Sequence, residues 1–415
     1  MALLIQNVEL DGAVTDVLIE GNRFAKINPG IEPGDAATLE ASGMAIAPSF
    51  VNAHTHASMT LLRGYADDLE LHDWLNNHIW PLEAKLTEED IYHGARLACL
   101  EMIKSGTTCF NDMYWHFHGV ARAVEEMGLR AMLSSVFIDL GGTDQASQQR
   151  DLTIRLHEER LRYPDRIRFA LGPHAIYTVS PDSLRWVKEF AAANELPIHI
   201  HLSETEKEVK DCLKLRGLRP VQWLDKIGFL GPDTIAAHVI HVTNEEIGIL
   251  ARNKVKVVHN PVSNMKLASG SFPYVRMRDA GIELSLGTDG CSSNNNLCML
   301  EEMKIAALHA KVVHRDPTVL PADEVFRMAT AKGAEALDID CGEIAEGKLA
   351  DCMLIDLANP RLAPGFKLVD DLVYSADSSC IDTVICDGEI LMRNGRVEGE
   401  DEIVAAARAY KKRFQ

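Results

Sequence analysis

Eight short apolar runs occupy the middle of this 415-residue chain, and most of them end on chemically capable polar side chains. The runs end near His54, Asp112, Ile138, His174, Leu202, His238, Asn260 and Asp289. Amphipathic stretches separate most of them, for example Glu88 to Lys104, Ser180 to Asn194 and Asn244 to Arg252. Repeated strand-then-helix units predict a parallel sheet. Eight such units predict an α/β fold of the (β/α)8 TIM-barrel type, whose active site lies at the carboxyl ends of the strands. His54 and His56, Asp112, His174, His201 and Glu204, His238, Asn260 and Asp289 all fall at that end. One polar strand end could be accidental; recurrence around the barrel points to a shared site.

The two ends of the chain have a different texture. Val14 to Glu20 and Arg23 to Ile27 read as strands around the Gly21-Asn22 turn, by period-two alternation and turn residues. Ala350 to Asp356 and Thr383 to Cys386 read the same way, with Asp387-Gly388 as a hairpin turn. Neither end is long enough for a good core alone. The expectation is one small β-sandwich domain built from residues 1–50 and 342–415, flanking a barrel domain at 51–341.

Composition excludes several classes. Apolar residues make up 47% and charged residues 25% of the chain, the range of a globular protein with a large core. A formal charge of -19 argues against nucleic acid or an anionic membrane as the main partner, since both require clustered Lys and Arg. The nine cysteines include no CxxC pair and read as reduced thiols. The start of the chain lacks a basic region and reaches Asp11-Gly12 too soon for a signal peptide. No apolar run approaches the roughly 20 residues of a membrane span, so the expected location is the cytoplasm.

Three clusters carry the chemistry. His54 and His56 sit two apart on a strand and share a face, so both imidazoles can meet one cation. Two hydrogen-bonded core histidines would give the same pattern. His199 and His201 form a second such pair, with Glu204 just past the strand end. A metal ligand beside an unligated carboxylate is what hydrolysis needs, because the ion activates water and the carboxylate moves protons. His199 is read as a supporting or packing residue. Asp289 ends the last apolar run, where a buried carboxylate is costly unless paired or metal-bound; a turn or helix-cap Asp is the alternative. His238 ends another run and could orient a water, or could be a core histidine. His241, His116 and His118 read as loop residues, Cys109 as core, and Cys291 and Cys298 as non-ligands. Trp74, Trp80 and Tyr65 could line a pocket or simply pack their loop.

Phe50-Val51-Asn52-Ala53-His54-Thr55-His56, His199-Ile200-His201-Leu202-Ser203-Glu204-Thr205 and Leu286-Gly287-Thr288-Asp289-Gly290 together resemble the amidohydrolase superfamily in order and spacing. The resemblance covers essentially the whole chain, including the two-ended β domain. Residues 60–69, Ile79-Trp80-Pro81-Leu82-Glu83, Gly172-Pro173-His174 and residues 258–267 narrow it. They look like the methylthioadenosine/S-adenosylhomocysteine deaminase family. The resemblance implies that His54, His56, His201 and Asp289 hold one zinc, with iron or manganese also allowed by ligand type. It implies that Glu204 shuttles protons and His238 polarises the attacking water. Glu83 and His174 would hold the nucleoside, Glu83 on the ribose hydroxyls, and Ser293 would touch substrate. Gly172-Pro173-His174 stands where binuclear relatives place a bridging lysine, so one metal is expected.

The implied reaction is hydrolytic deamination of the adenine ring of a 5′-substituted adenosine. Asp289 would take a proton from the attacking water. Glu204 would protonate N1 and then the leaving amine. The resemblance thins after the third run, where Asp139 to Asp144 offer acids and glycines and Arg150 is the nearest candidate for a homocysteine carboxylate. That leans toward uncharged 5′ groups. Rival readings are a guanine, pterin or triazine hydrolase sharing the metal set, and an inactive scaffold, which would have lost ligands that this chain retains. A homo-oligomer is expected from the family alone.

Overall fold

Which residues reach the barrel mouth is decided by strand pairing. A computed structural model describes residues 2–69 and 71–414. Five strands open the chain: Ala2–Leu10 (β1), Ala13–Glu20 (β2), Arg23–Ile27 (β3), Ala37–Glu40 (β4) and Met44–Pro48 (β5). The barrel strands follow: Phe50–His56 (β6), Thr107–Tyr114 (β7), Arg130–Phe137 (β8), Ile167–Pro173 (β9), Ile198–Leu202 (β10), Thr234–His238 (β11), Lys256–His259 (β12), Leu284–Leu286 (β13) and Asp289–Gly290 (β14). The last strands are Cys352–Asp356 (β15), Ile381–Cys386 (β16) and Glu389–Met392 (β17).

All neighbours from β6 to β13 pair in parallel, and β14 pairs with β6 to close the ring. β13 and β14 are one barrel strand interrupted at Gly287-Thr288. The interruption has a steric cause. A Cβ on Gly287 would lie 2.7 Å from Asn260 Oδ1 and 2.8 Å from His54 Cβ. Only glycine lets the eighth strand pass this close to the first before it delivers Asp289. The expected barrel is therefore observed, with strand ends within about two residues of those read from the sequence.

Helices follow the strands and are stopped and started by local chemistry. Thr87 caps the helix Glu88–Lys104 in a capping box with Asp90, and Thr243 does the same with Glu246 for Asn244–Arg252. Such caps satisfy backbone N–H groups that have no partner within the helix. Ser180 and Pro181 start the helix Pro181–Asn194. The floor of the barrel is apolar. Val51, Cys109, Met132, Ala170, Ile235 and Val258 pack against Ala334, Leu337 and Ile339 of the segment that plugs it.

The outer strands combine into one sheet in the order β17-β16-β15-β5-β1-β2-β3, with β4 beside β1. Both chain ends thus build the small sandwich layer, as the sequence predicts. Its core includes Ile5, Val17, Ile19, Phe24, Cys352, Leu354 and Ile385. A buried ion pair joins it to the barrel: Arg130 Nε donates to Asp351 Oδ2 at 2.9 Å, and a second nitrogen donates to Asp387 Oδ1 at 2.8 Å. No helix among the described residues is long and apolar enough to cross a membrane.

Candidate active site

Parallel pairing brings the ends of β6, β10 and β14 to one point. The ligand atoms of His54, His56, His201 and Asp289 all lie within 4.8 Å of one another. Asp289 Oδ1 is 3.2 Å from both His54 Nε2 and His56 Nε2. His56 Nε2 is also 3.2 Å from His201 Nε2.

The other nitrogen of each ring is already engaged. His56 Nδ1 donates to the Met113 carbonyl at 2.6 Å, and His201 Nδ1 donates to the His174 carbonyl at 2.9 Å. Those bonds fix the tautomer that leaves each Nε2 lone pair facing the cluster. His54 Nδ1 lies 2.7 Å from His199 Nε2, so His199 stands behind a ligand, as read from the sequence. Asp289 Oδ2 accepts from Ser263 Oγ at 2.6 Å and from Ser293 Oγ at 2.8 Å. One carboxylate oxygen thus faces the imidazoles while two hydroxyls hold the other.

Electrostatics favour a cation at the centre. Burial would raise the Asp289 carboxyl, but hydrogen bonds to His54 and His56 outweigh it and hold it well below the usual range. Burial would lower His56, yet Asp289 carries it up to about 9. Burial drives His54 down to about 4 and His201 well below its ordinary value. Three imidazoles and one carboxylate suit zinc better than magnesium or calcium, which prefer all-oxygen sets. These residues form a single divalent-metal site.

The remaining predicted residues surround it. Glu83, His174, Glu204, His238 and Ser293 line one cavity with His56, His201 and Asp289. The Glu204 carboxylate makes no hydrogen bond among the described residues and lies 4.0 Å from His238 Nε2. Burial raises its pKa, against the pull of His238. His238 Nδ1 is 2.8 Å from Asn264 Oδ1, which fixes the ring. His174 is pushed down to about 3 by burial and then by His56 and His54, so it stays neutral. Burial also raises Glu83, against the pull of Tyr114, and its Oε1 has no hydrogen-bond partner among the described residues. The backbone is strained where it presents these groups: φ is 51° at Ser203, 72° at His238, 48° at Val239 and 63° at Asp289. Non-glycine residues adopt such angles rarely, and they cluster at functional sites.

Several readings resolve in detail. Trp74 and Trp80 line the cavity and Tyr65 does not. Trp74–Ile79 forms a π-helical turn, a feature frequent at functional sites. His116 and His118 line an adjoining groove of about 920 Å³ instead of the metal cavity. His241 bonds the Ser269 carbonyl, and Cys109 and Cys291 are buried. Arg150 lines neither the metal cavity nor the adjoining groove; its guanidinium lies 5.5 Å from the Trp186 ring centroid. Ser263 and Asn264 escaped individual reading. Their signal is position: polar side chains in the first turn of the helix Pro261–Lys266, directly after a barrel strand.

A barrel with this ligand set and a free carboxylate beside it defines a metal-dependent hydrolase. The profile of the amidohydrolase family matches residues 45–391. The chain is 51% identical over 388 residues to a 5′-deoxyadenosine deaminase of Methanothermobacter thermautotrophicus, covering 93% of this chain and 91% of that one. It is 48% identical over 379 residues to a 5-methylthioadenosine/S-adenosylhomocysteine deaminase of Thermococcus sibiricus, covering 91% and 89%. The fold matches a zinc-bound adenosine deaminase of Xanthomonas campestris with a TM-score of 0.92, at 34% identity, covering 100% of this chain and 98% of that one. This chain belongs to the amidohydrolase family, and within it to the 5′-deoxyadenosine and methylthioadenosine/S-adenosylhomocysteine deaminases.

Proposed function

We infer that this protein is a metal-dependent deaminase of 5′-substituted adenosines, which converts them to the inosine analogue and ammonia. The observation that carries this reading is the unengaged, buried Glu204 carboxylate beside a four-residue metal site. Such a pairing places an acid–base group next to an activated water.

His54, His56, His201 and Asp289 hold the ion. When bound, the ion supplies Lewis acidity that lowers the pKa of a water to roughly 7. Asp289 takes a proton from the water as its oxygen attacks C6, and His238 orients that water. Glu204 gives a proton to N1. The proton held by Asp289 is then relayed through Glu204 to the amine, the C6–N bond breaks and ammonia leaves, and the C6 hydroxyl proton returns to Glu204 as the carbonyl forms. The raised pKa of Glu204 suits this work, since a buried acid retains the proton it must donate.

Glu83 accepts from the ribose hydroxyls, which would satisfy its Oε1, unpartnered among the described residues. His174 and Ser293 complete the nucleoside's contacts. The 5′ group extends into the adjoining groove, which shares Trp80, Glu83, Trp115 and Ile138 with the metal cavity. Leu86, Phe117, Leu152 and Leu156 make much of that groove apolar, which suits a methyl or methylthio group. Arg155 lines it as well and makes no ion pair among the described residues, so a carboxylate-bearing tail has a partner there.

We further propose a cytoplasmic homo-oligomer, with residues 1–50 and 342–415 as one structural unit and 51–341 as the other. Exposed Leu161, Leu215, Val312 and Phe366 offer apolar surface to a second copy; sedimentation tests this.

The functional test is ammonia release, with zinc supplied, from adenosine, 5′-methylthioadenosine, 5′-deoxyadenosine, S-adenosylhomocysteine, adenine and guanine. Turnover of nucleosides but not free adenine supports Glu83 on the ribose. Silence on every adenine nucleoside discards the assignment.

A further inference from the structure

Glu204 must be aimed from a turn, since it stands two residues beyond the end of β10. That turn is gripped from both sides. The Ser203 carbonyl accepts from Ile240 N at 3.1 Å and from His241 N at 2.9 Å. On the other side, Ser203 N donates to Glu208 Oε1 at 2.8 Å, and Glu204 N donates to Glu208 Oε2 at 2.9 Å. Glu208 is 4% exposed, and among the described residues no other side chain bonds these two N–H groups.

An ordinary helix cap would look different. Glu208 is the third residue of the helix Glu206–Arg216, whose cap is Thr205. A carboxylate at that position usually reaches back to the cap residue's own N–H. Here its two oxygens also reach further: besides a weaker interaction with the Thr205 N–H, they bond the two residues that turn the chain out of the barrel. Ser203 is left-handed at φ 51°, a conformation that non-glycine residues adopt rarely and that persists only when its surroundings enforce it. Two hydrogen bonds accepted by one buried carboxyl group, whose pKa burial pushes up to about 8 against the pull of those N–H groups, help to enforce it.

We propose that Glu208 is a positioning residue for the deamination, holding the Ser203–Glu204 backbone so that the Glu204 carboxylate meets the substrate ring. This rests on the functional reading above. Glu208 does not line the metal cavity and is not one of the four metal-site residues. It acts through Glu204, and its loss should be felt in turnover and not in binding of either.

The test is steady-state ammonia release by the zinc-loaded protein and its Glu208→Gln variant, in wild-type and Glu204→Asp backgrounds. Gln keeps the size but presents an NH2 group to one of the two N–H donors. Displacing a reacting group by about 1 Å can cost roughly 100-fold. Glu208→Gln is expected to lower kcat by about 10- to 100-fold, with KM and zinc content close to wild type. The same substitution should cost much less in Glu204→Asp, whose acid is already out of reach. Equal losses in both backgrounds, a loss that tracks zinc content, or a kcat within twofold of wild type would each overturn the proposal. A wild-type protein that releases no ammonia would overturn it together with the functional reading, and the wild-type control alone tells these failures apart.

Discussion

Ser263 Oγ donates to Asp289 Oδ2 at 2.6 Å, across the gap between the seventh and eighth barrel strands. Ser293 donates to the same oxygen at 2.8 Å. The carboxylate that closes the metal site is therefore oriented from two sides. Ser263→Ala or Ser293→Ala should lower kcat by about tenfold, since a hydrogen bond to a charged group is worth roughly 1.5–3 kcal/mol. KM should stay within about twofold for Ser263→Ala and rise for Ser293→Ala, whose side chain also lines the cavity where the nucleoside is proposed to sit. The double variant should lose more than either single one. Steady-state ammonia release checks this.

His199 acts on the ion through His54. It is buried, and its only hydrogen bond among the described residues is to His54 Nδ1. Partners of this kind typically matter by 10- to 100-fold in metal affinity. His199→Leu should weaken zinc binding by about that factor in chelator competition. An affinity equal to wild type would remove His199 from the site's support.

Acid stability should depend on His259. Burial lowers its pKa from 6.5 to about 3, helped by His309 and His238. Its ring stacks on Phe272 with centroids 4.3 Å apart and is 4% exposed. The sign follows from linkage. The unfolded chain takes up the proton near pH 6.5 and the folded protein only near 3, so stability contributed above pH 6.5 is lost as pH falls toward 3. His259→Gln should flatten part of the decline in denaturation midpoint over that window, relative to wild type at equal zinc.

Arg130 ties the barrel to the terminal sheet by way of Asp351, which is 1% exposed. Removing one partner of a buried pair leaves an uncompensated charge and costs about 3–5 kcal/mol. Arg130→Met should destabilise by that order in chemical denaturation, while residual folded protein keeps its substrate profile. Replacing Arg130, Asp351 and Asp387 together by apolar residues should recover part of the loss.

The barrel was legible because each buried strand is a run of apolar residues with a polar end. The helices Glu88–Lys104 and Asn244–Arg252 were legible to the residue from their amphipathic pattern, and Thr87 and Thr243 prove to cap them. His54, His56, His201 and Asp289 could be read as clusters, but their meeting depends on β14 pairing with β6, which no local pattern states. The break at Gly287 arises from contact with His54 and Asn260, both distant in sequence. Glu208, Ser263 and Asn264 look like ordinary helix residues until their partners are known. Arg150 illustrates the converse: it stood nearest in sequence to the expected carboxylate site, yet its helix turns it onto Trp186, while Arg155 faces the groove.

The most direct test is a zinc titration of metal-stripped protein, following ammonia release from 5′-deoxyadenosine in the wild type and in Glu204→Gln. Wild-type activity should rise with zinc and level off at one ion per chain, and Glu204→Gln should bind the same zinc with no turnover. Activity that ignores zinc, saturation at two ions, or a Glu204→Gln rate near wild type would contradict a single-metal site served by Glu204.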